Sequence, residues 1–221
     1  MARVHKLLGR ANPAAATPAT LYTAPALTKT QIYSLCICNT STADDSVDVF
    51  LVPSGGAAGV SNQIINDMVI DFGDPFAWNV PQVLEAGDFI VVQSANGTCT
   101  FTASGVELTA PLGSQISKLL GRANPAAATP ATLYTAPALT KTQVYSLCIC
   151  NTSGLDDSVD VFLVPSGGGA GVSNQIISDM VVDFGDPYSM NVPQILETGD
   201  FIVVQSANGN CTFTASGLEL T

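Results

Sequence analysis

Short stretches of alternating apolar and polar residues, each closed by a turn signal, recur along the chain. Residues 30–38 are rich in β-formers and end at Asn39, and residues 46–52 alternate with period two and end at Pro53. Turn residues also bound further predicted strands at residues 64–70, 79–84, 89–93, 99–103 and 106–109. No segment keeps a helical apolar period for three turns. The pattern therefore predicts an antiparallel β-sandwich, jelly-roll-like or Greek-key-like, in preference to a closed barrel.

The whole pattern occurs twice. Residues 6–109 align with residues 118–221 at a constant offset of 112 without a gap, and 91 of the 104 aligned positions are identical. A period of this length is that of a whole domain and not that of a solenoid repeat. The chain is therefore predicted to be all-β, with two tandem sandwiches at residues 30–109 and 142–221.

A proline-rich segment precedes each predicted sandwich. Residues 1–29 and 118–141 each contain three prolines, which force their neighbours into extended conformations. Each segment is therefore predicted to be an extended N-terminal arm, and residues 110–117 a linker. Two alternatives stay open: the arm docks on a neighbouring molecule, or it lies on its own domain, pairing as an edge strand near Leu21.

Charge separates the arms from the sandwiches. The net charge is −11, and neither residues 30–117 nor residues 142–221 contain a lysine or an arginine. This separation favours head-to-tail association or docking on a surface of opposite charge. The bases of the arms are accordingly predicted to bind partners: Arg3, Lys6, Arg10, Lys29, Lys118, Arg122 and Lys141. The alternative is that they pair with acids of their own domain. The acidic sandwiches argue against a nucleic-acid partner.

Residues suited to catalysis or metal binding are few. His5 is the only histidine, and the three cysteines of each copy lack the fourth ligand and the histidines of a usual zinc site. The cysteines are predicted to be reduced, buried thiols, and the paired aspartates to support turns. No apolar run approaches the length of a bilayer span, and no secretory signal is expected. The chain is thus predicted to be no enzyme, with no catalytic or metal site, no cofactor and no membrane partner.

The two copies differ most in one short segment. Phe76-Ala-Trp78 of the first copy is replaced by Tyr188-Ser-Met190 in the second. Cores tolerate mainly volume-conserving changes, so this segment is predicted to be an exposed loop. Phe76, Trp78, Tyr188 and Met190 are therefore predicted to contact partners. The alternative is that Trp78 fills a peripheral pocket of the core.

Four motifs carry a resemblance to a known group of proteins. They are Leu-Tyr-Thr-Ala-Pro-Ala at 21–26, Ser-Leu-Cys-Ile-Cys-Asn at 34–39, Leu-Glu-Ala-Gly-Asp-Phe-Ile-Val-Val-Gln-Ser-Ala at 84–95 and Phe-Thr-Ala-Ser-Gly-Val-Glu-Leu-Thr at 101–109. Together they resemble small β-sandwich modules of tailed-bacteriophage virion proteins, here tandemly duplicated. Such modules occur in capsid decoration (cement) proteins and in tail-associated proteins.

The resemblance implies a structural role in a virion. It implies a decoration protein that binds the major capsid protein or other virion subunits, forms a homo-oligomer and is assembled in the host cytoplasm. The alternative is a tail-associated module that binds a receptor or a carbohydrate.

Overall fold

The computed structural model describes residues 2–73, 75–109, 115–191 and 193–220, and only the backbone of residues 2, 3, 109, 115 and 116. The chain divides into two units, residues 1–112 and 113–221. Each unit has its own pair of β-sheets.

The described part of the first unit consists of β-strands and one short 3-10 helix, which spans Val60–Asn62. The strands are β1 (Ala2–Ala11), β2 (Ala19–Thr23), β3 (Thr28–Asn39), β4 (Asp45–Val52), β5 (Gln63–Ile70), β6 (Pro75–Trp78), β7 (Gln82–Leu84), β8 (Phe89–Ser94) and β9 (Cys99–Thr109).

The second unit repeats these elements, with its 3-10 helix at Val172–Asn174. Its strands are β10 (Gln115–Ala123), β11 (Ala131–Thr135), β12 (Lys141–Asn151), β13 (Asp157–Val164), β14 (Gln175–Val182), β15 (Tyr188–Met190), β16 (Gln194–Leu196), β17 (Phe201–Ser206) and β18 (Cys211–Leu220). No helix among the described residues is long and apolar enough to cross a membrane.

The strand order defines a jelly roll in each unit. One sheet of the first unit has the order β1-β9-β3-β6, with β7 also paired to β3, and the other has the order β2-β8-β4-β5. Strands β6 and β7 lie one after the other along β3 and act as a single interrupted strand. Strands β1 to β4 alternate between the two antiparallel sheets, β5 pairs with β4, and the chain then returns to the first sheet, crosses to the second with β8 and ends in the first with β9, which is the jelly-roll connection. The second unit has the equivalent orders β10-β18-β12-β15 and β11-β17-β13-β14. The predicted all-β class and jelly-roll-like sandwich are confirmed.

The core follows the period-two alternation of the strands. In the second half of β3, Leu35 and Ile37 are buried, whereas Cys36 and Cys38, which alternate with them, are exposed. Successive side chains of a strand point to opposite faces, so one face of β3 lies on the core. Burial of each large apolar side chain contributes roughly 1.5–3 kcal/mol.

The predicted arms are extended, but they are strands of the sandwiches. Strand β1 pairs with β9 and strand β2 with β8, so the first sandwich begins before residue 30. The prolines of this segment, Pro13, Pro18 and Pro25, all lie between strands, where the missing N–H removes no ladder bond. Of the predicted linker, residues 110–114 lie outside the described residues, and residues 115–117 belong to β10.

Gly9 allows β1 to approach β2 closely. The register of β1 on β9 shifts between Leu7 and Gly9, and a Cβ atom at Gly9 would overlap the carbonyl oxygen of Leu21. Glycine has no Cβ, so the two backbones can lie against each other here and close one edge of the sandwich. Gly121 has the same position against Leu133 in the second unit.

Two further elements differ from the sequence-based prediction. Residues 75–78, expected in a loop, form β6, which pairs with Leu35–Cys38 of β3. Residues 99–109, expected as two strands, form the single strand β9, because Gly105 stays paired with both Lys6 and Ile32.

Candidate functional site

The lysines of the predicted arms form ion pairs within their own units. Lys6 lies 2.8 Å from Glu107, and Lys29 lies 3.0 Å from Glu85. The equivalent pairs of the second unit, Lys118–Glu219 and Lys141–Glu197, measure 2.8 and 2.9 Å. These lysines therefore pair with acids of their own domain, which was the alternative to partner binding. The Lys141–Glu197 pair is exposed on both sides, and exposed ion pairs contribute about 0–1 kcal/mol, so exchanging that partner costs little.

Glu107 joins Lys6 to a buried tyrosine. The Tyr22 hydroxyl donates to Glu107 Oε1 at 2.8 Å and lies 2.8 Å from Thr30 Oγ1. Burial opposes ionisation of Glu107, but hydrogen bonds from Lys6 and Tyr22 outweigh it and hold the pKa of Glu107 below its usual value. Burial raises the pKa of the Tyr22 hydroxyl, so Tyr22 stays a donor. Residues Tyr134, Thr142 and Glu219 repeat this arrangement. The network ties β1, β2, β3 and β9 together.

The arginines occupy different environments. Arg10 is exposed and lines an open groove of about 350 Å³ together with Asn12, Thr100 and Thr102. Arg122, its counterpart in the second unit, is half-buried. The side chain of Arg3 lies outside the described residues. Among the predicted contact arginines whose side chains the structure describes, Arg10 is thus the exposed one.

The aromatic segment that was expected to be a loop is mostly turned toward the core. Trp78 lies in β6 opposite Leu35, is 7% exposed and lines a small apolar cavity. The prediction that Trp78 is an exposed contact residue is therefore wrong, because pairing with β3 directs its side chain inward with that of Leu35. Met190 packs against the core of the second unit, and Phe76 is half-buried. Tyr188, 39% exposed, remains accessible.

The cysteines are all free thiols, but they are not all buried. Cys36 and Cys38 are exposed, which corrects the prediction of buried thiols, since both occupy outward positions of β3. Cys99 and Cys211 are buried, and burial together with a nearby aspartate raises the pKa of each to about 12. Cys148 and Cys150 are also buried. No group of three or more His, Cys, Asp or Glu side chains among the described residues could hold a metal ion.

Asp45 is the centre of a buried polar cluster at the turn between β8 and β9. It is 2% exposed and accepts hydrogen bonds from the hydroxyls of Ser94 and Thr98 and from the backbone N–H groups of Asn96 and Thr98. Burial opposes ionisation, yet these hydrogen bonds outweigh it and lower the pKa of Asp45 to about 2. A carboxylate so fully satisfied is a poor proton acceptor at neutral pH. Its role is to hold the turn, and Asp157 does the same in the second unit.

Sequence reasoning missed two highly exposed leucines. Leu27 lies in the turn between β2 and β3, is 85% exposed and has φ +59°. Leu139 of the second unit is 92% exposed with φ +60°. The Thr28 N–H closes this turn on the Pro25 carbonyl, and glycine or asparagine usually stands at a turn position with positive φ, so leucine there gives no recognisable turn signal in the sequence.

A second exposed apolar feature lies where β5 turns into β6. Val69 and Phe72 are 60% and 58% exposed. An open groove of about 160 Å³ beside them is lined by Val69, Ile70, Asp71, Pro75 and Phe76. In the second unit Val181 and Phe184 are exposed in the same way. The exposed leucines and the groove beside Val69 are thus the candidate contact surfaces among the described residues. The buried hydrogen-bond networks of Glu107 and Asp45 stabilise the fold.

Comparisons with known proteins identify no family. No family model matches the chain, and no curated protein matches it. Among solved structures, it is similar to the STIV MCP, with 10% identity over 100% of this chain and 97% of that one and a TM-score of 0.36. The major capsid protein P2 of bacteriophage PM2 shares 8% identity over 99% and 97% of the two chains, with a TM-score of 0.32.

A tandem domain of another protein is similar to a comparable degree. The CBM22-1-CBM22-2 tandem domain of Paenibacillus barcinonensis Xyn10C shares 7% identity over 99% of this chain and 91% of that one, with a TM-score of 0.27. Likenesses this distant carry no weight for either fold or function. The jelly-roll class follows from the strand order described above, and the relation to tailed-phage modules stays a prediction.

Proposed function

We propose that this chain is a non-enzymatic structural protein of a virion, and specifically a capsid decoration protein that binds and stabilises the assembled shell. The observation that carries the proposal is the pair of exposed leucines, Leu27 and Leu139, each held on the tip of a rigid sandwich. Large apolar side chains at such positions are typical of contact anchors.

The sandwiches are suited to hold such tips in place. The tip of Leu27 joins β2 to β3, and both strands are tied to β9 through the Tyr22–Glu107 network. A rigid support lowers the entropy that a contact loses on binding. Two copies of one tip in one chain also raise the effective concentration of the second contact once the first has formed.

The charge of the chain shapes the choice of partner. With a net charge of −11, and with four arm lysines already paired to glutamates, the surface favours protein contacts over nucleic acid or anionic membrane. The proposed partners are the major capsid protein, other virion subunits and further copies of this chain. Its proposed location is the virion, assembled in the host cytoplasm.

The tail-associated, carbohydrate-binding alternative loses its main residue. It invoked exposed aromatic side chains such as Trp78, and Trp78 is buried. Phe72, Phe184 and Tyr188 remain exposed, so this alternative keeps aromatic side chains at other positions.

The test is to locate and remove the protein in particles of the virus that encodes it. A decoration protein is expected at many icosahedral positions of the shell by cryo-electron microscopy. Particles lacking it are expected to assemble but to open at lower temperature, because a ligand of the assembled state stabilises that state by mass action. Added purified protein should restore the opening temperature.

Three outcomes would contradict this role. Absence from purified particles would exclude a virion protein, and density confined to the tail would favour the alternative. Failure of the shell to assemble without the chain would make it a main shell subunit. Add-back of the Leu27→Asn and Leu139→Asn double variant is the matched control, expected to restore little stability.

A further inference from the structure

Leu27 and Leu139 have a backbone conformation that leucine disfavours. A φ near +60° places Cβ close to the following carbonyl, a cost that glycine avoids. Neither side chain packs in its own unit, since both are largely exposed. Strain of this kind at an exposed apolar residue, present in both copies, indicates a contact outside the unit.

The same unit holds a groove that suits this side chain. Val69, Ile70, Pro75 and Phe76 give it apolar walls, and its volume of about 160 Å³ is similar to the roughly 150 Å³ of cavities that hold benzene. The aspartate of its lining, Asp71, is exposed.

The leucine and the groove lie at opposite ends of the unit. Leu27 precedes the first residue of β3, whereas Pro75 of the groove pairs with Cys38 near the last residue of that strand. Ten residues of strand span roughly 33 Å, so a unit cannot place its own leucine in its own groove.

We infer that the leucine tip of one molecule inserts into the groove lined by Val69, Ile70, Asp71, Pro75 and Phe76 in a second molecule of the same chain. Charge supports this pairing. Lys29 lies two residues from Leu27, and Lys141 two residues from Leu139, whereas Asp71 lines the groove and Asp44 bonds the Phe72 N–H beside it. Lys141 and Glu197 are 61% and 59% exposed, and such a surface ion pair exchanges partners readily, whereas the Lys29 side chain is 17% exposed beside Glu85 and adds positive charge near the tip without leaving its partner.

A contact of this kind is heterologous. The leucine tip of one molecule contacts the groove of the next molecule, and these are two different surfaces. Association therefore continues from molecule to molecule until a ring closes. The inference depends on the geometry of the unit and does not require the proposed role in a virion.

The test is sedimentation velocity of the full chain across a wide range of concentration. The parent is expected to form larger species as concentration rises. The Leu27→Gly and Leu139→Gly double variant relieves the strain and removes the tips, so its association should weaken at least tenfold while its Tm stays equal or rises. Val69→Glu with Val181→Glu, which changes the groove, should weaken association to the same degree.

The matched control is Ala16→Gly with Ala128→Gly. Ala16 and Ala128 are also exposed and have φ of 50° and 51°, but they present no large side chain. This variant should keep the association of the parent. A monomeric parent, or leucine variants that associate as the parent does, would overturn the inference. Flotation with phosphatidylcholine vesicles that is lost in the leucine variants would assign the tips to lipid instead and overturn it as well.

Discussion

Replacing Asp45 by asparagine tests the polar cluster that closes the β8–β9 turn. The carboxylate accepts four hydrogen bonds, and the backbone N–H groups of Asn96 and Thr98 point at different oxygens. An amide keeps one oxygen, so at least one of these partly buried N–H groups loses its bond to the Asp45 side chain. Each buried polar group left unpaired costs about 1–3 kcal/mol, and the loss of charge weakens the remaining bonds. We expect Asp45→Asn to lower the free energy of unfolding of the first unit by about 2–4 kcal/mol.

The same carboxylate makes stability depend on pH. Its pKa is lowered from 3.8 to about 2 in the folded state, so its contribution is complete above the unfolded pKa and is lost as pH falls from 4 toward 2. A shift of this size corresponds to about 2 kcal/mol, and solvent at the exposed neighbours Ala95 and Asn96 reduces it to roughly 1–2 kcal/mol. Hydrogen bonds lower the pKa of Asp157 in the second unit as well.

The assay is urea unfolding of the full chain at a series of pH values from 7 to 2. Asp45→Asn combined with Asp157→Asn changes both units alike, and Asp71→Asn, at an exposed aspartate, is the control. The parent should lose its advantage over the double variant between pH 4 and pH 2. Parallel pH profiles of parent and double variant would refute the reasoning, as would equal losses in the double variant and the control.

Two further predictions concern close packing and thiol access. Gly9→Ala should lower stability by about 1–3 kcal/mol in thermal unfolding, since its Cβ would overlap the Leu21 carbonyl. Gly59→Ala, with open space around it, should not lower stability. Equal effects of the two substitutions would contradict the close approach of β1 and β2. In the native protein Cys36 should react with Ellman's reagent before Cys99, which is buried and has a pKa of about 12. Protection of Cys36 as strong as that of Cys99 would contradict its outward position in β3.

Much of the fold could be predicted because local signals agree with it. Strands β3, β4, β5 and β8 lie within two residues of their predicted bounds, as alternating apolar residues between turn signals leave a half-buried strand as the favourable arrangement. For the proline-rich segment, the alternative of an arm that pairs with its own domain near Leu21 is the one observed, and its prolines mark the gaps between β1, β2 and β3. Pairing with distant strands made this segment part of the sandwich, and no local signal reports such pairing.

The candidate contact residues could be predicted less well. Trp78 was selected because it differs between the copies, but the direction of its side chain depends on the register of β6 against β3. Leu27 was passed over because a single leucine beside a proline turn is unremarkable in sequence. Its exposure and its positive φ emerge only when the turn is placed at the end of two paired strands.

The sequence by itself determined the duplication, the β class and the separation of basic and acidic segments, because each depends only on the order of residues along the chain. Tertiary structure decided which charges meet, which aromatics are buried and which apolar side chains face solvent. These properties depend on contacts between strands far apart in sequence, such as Lys6 with Glu107, where a shift of register by one residue would turn each side chain to the opposite face.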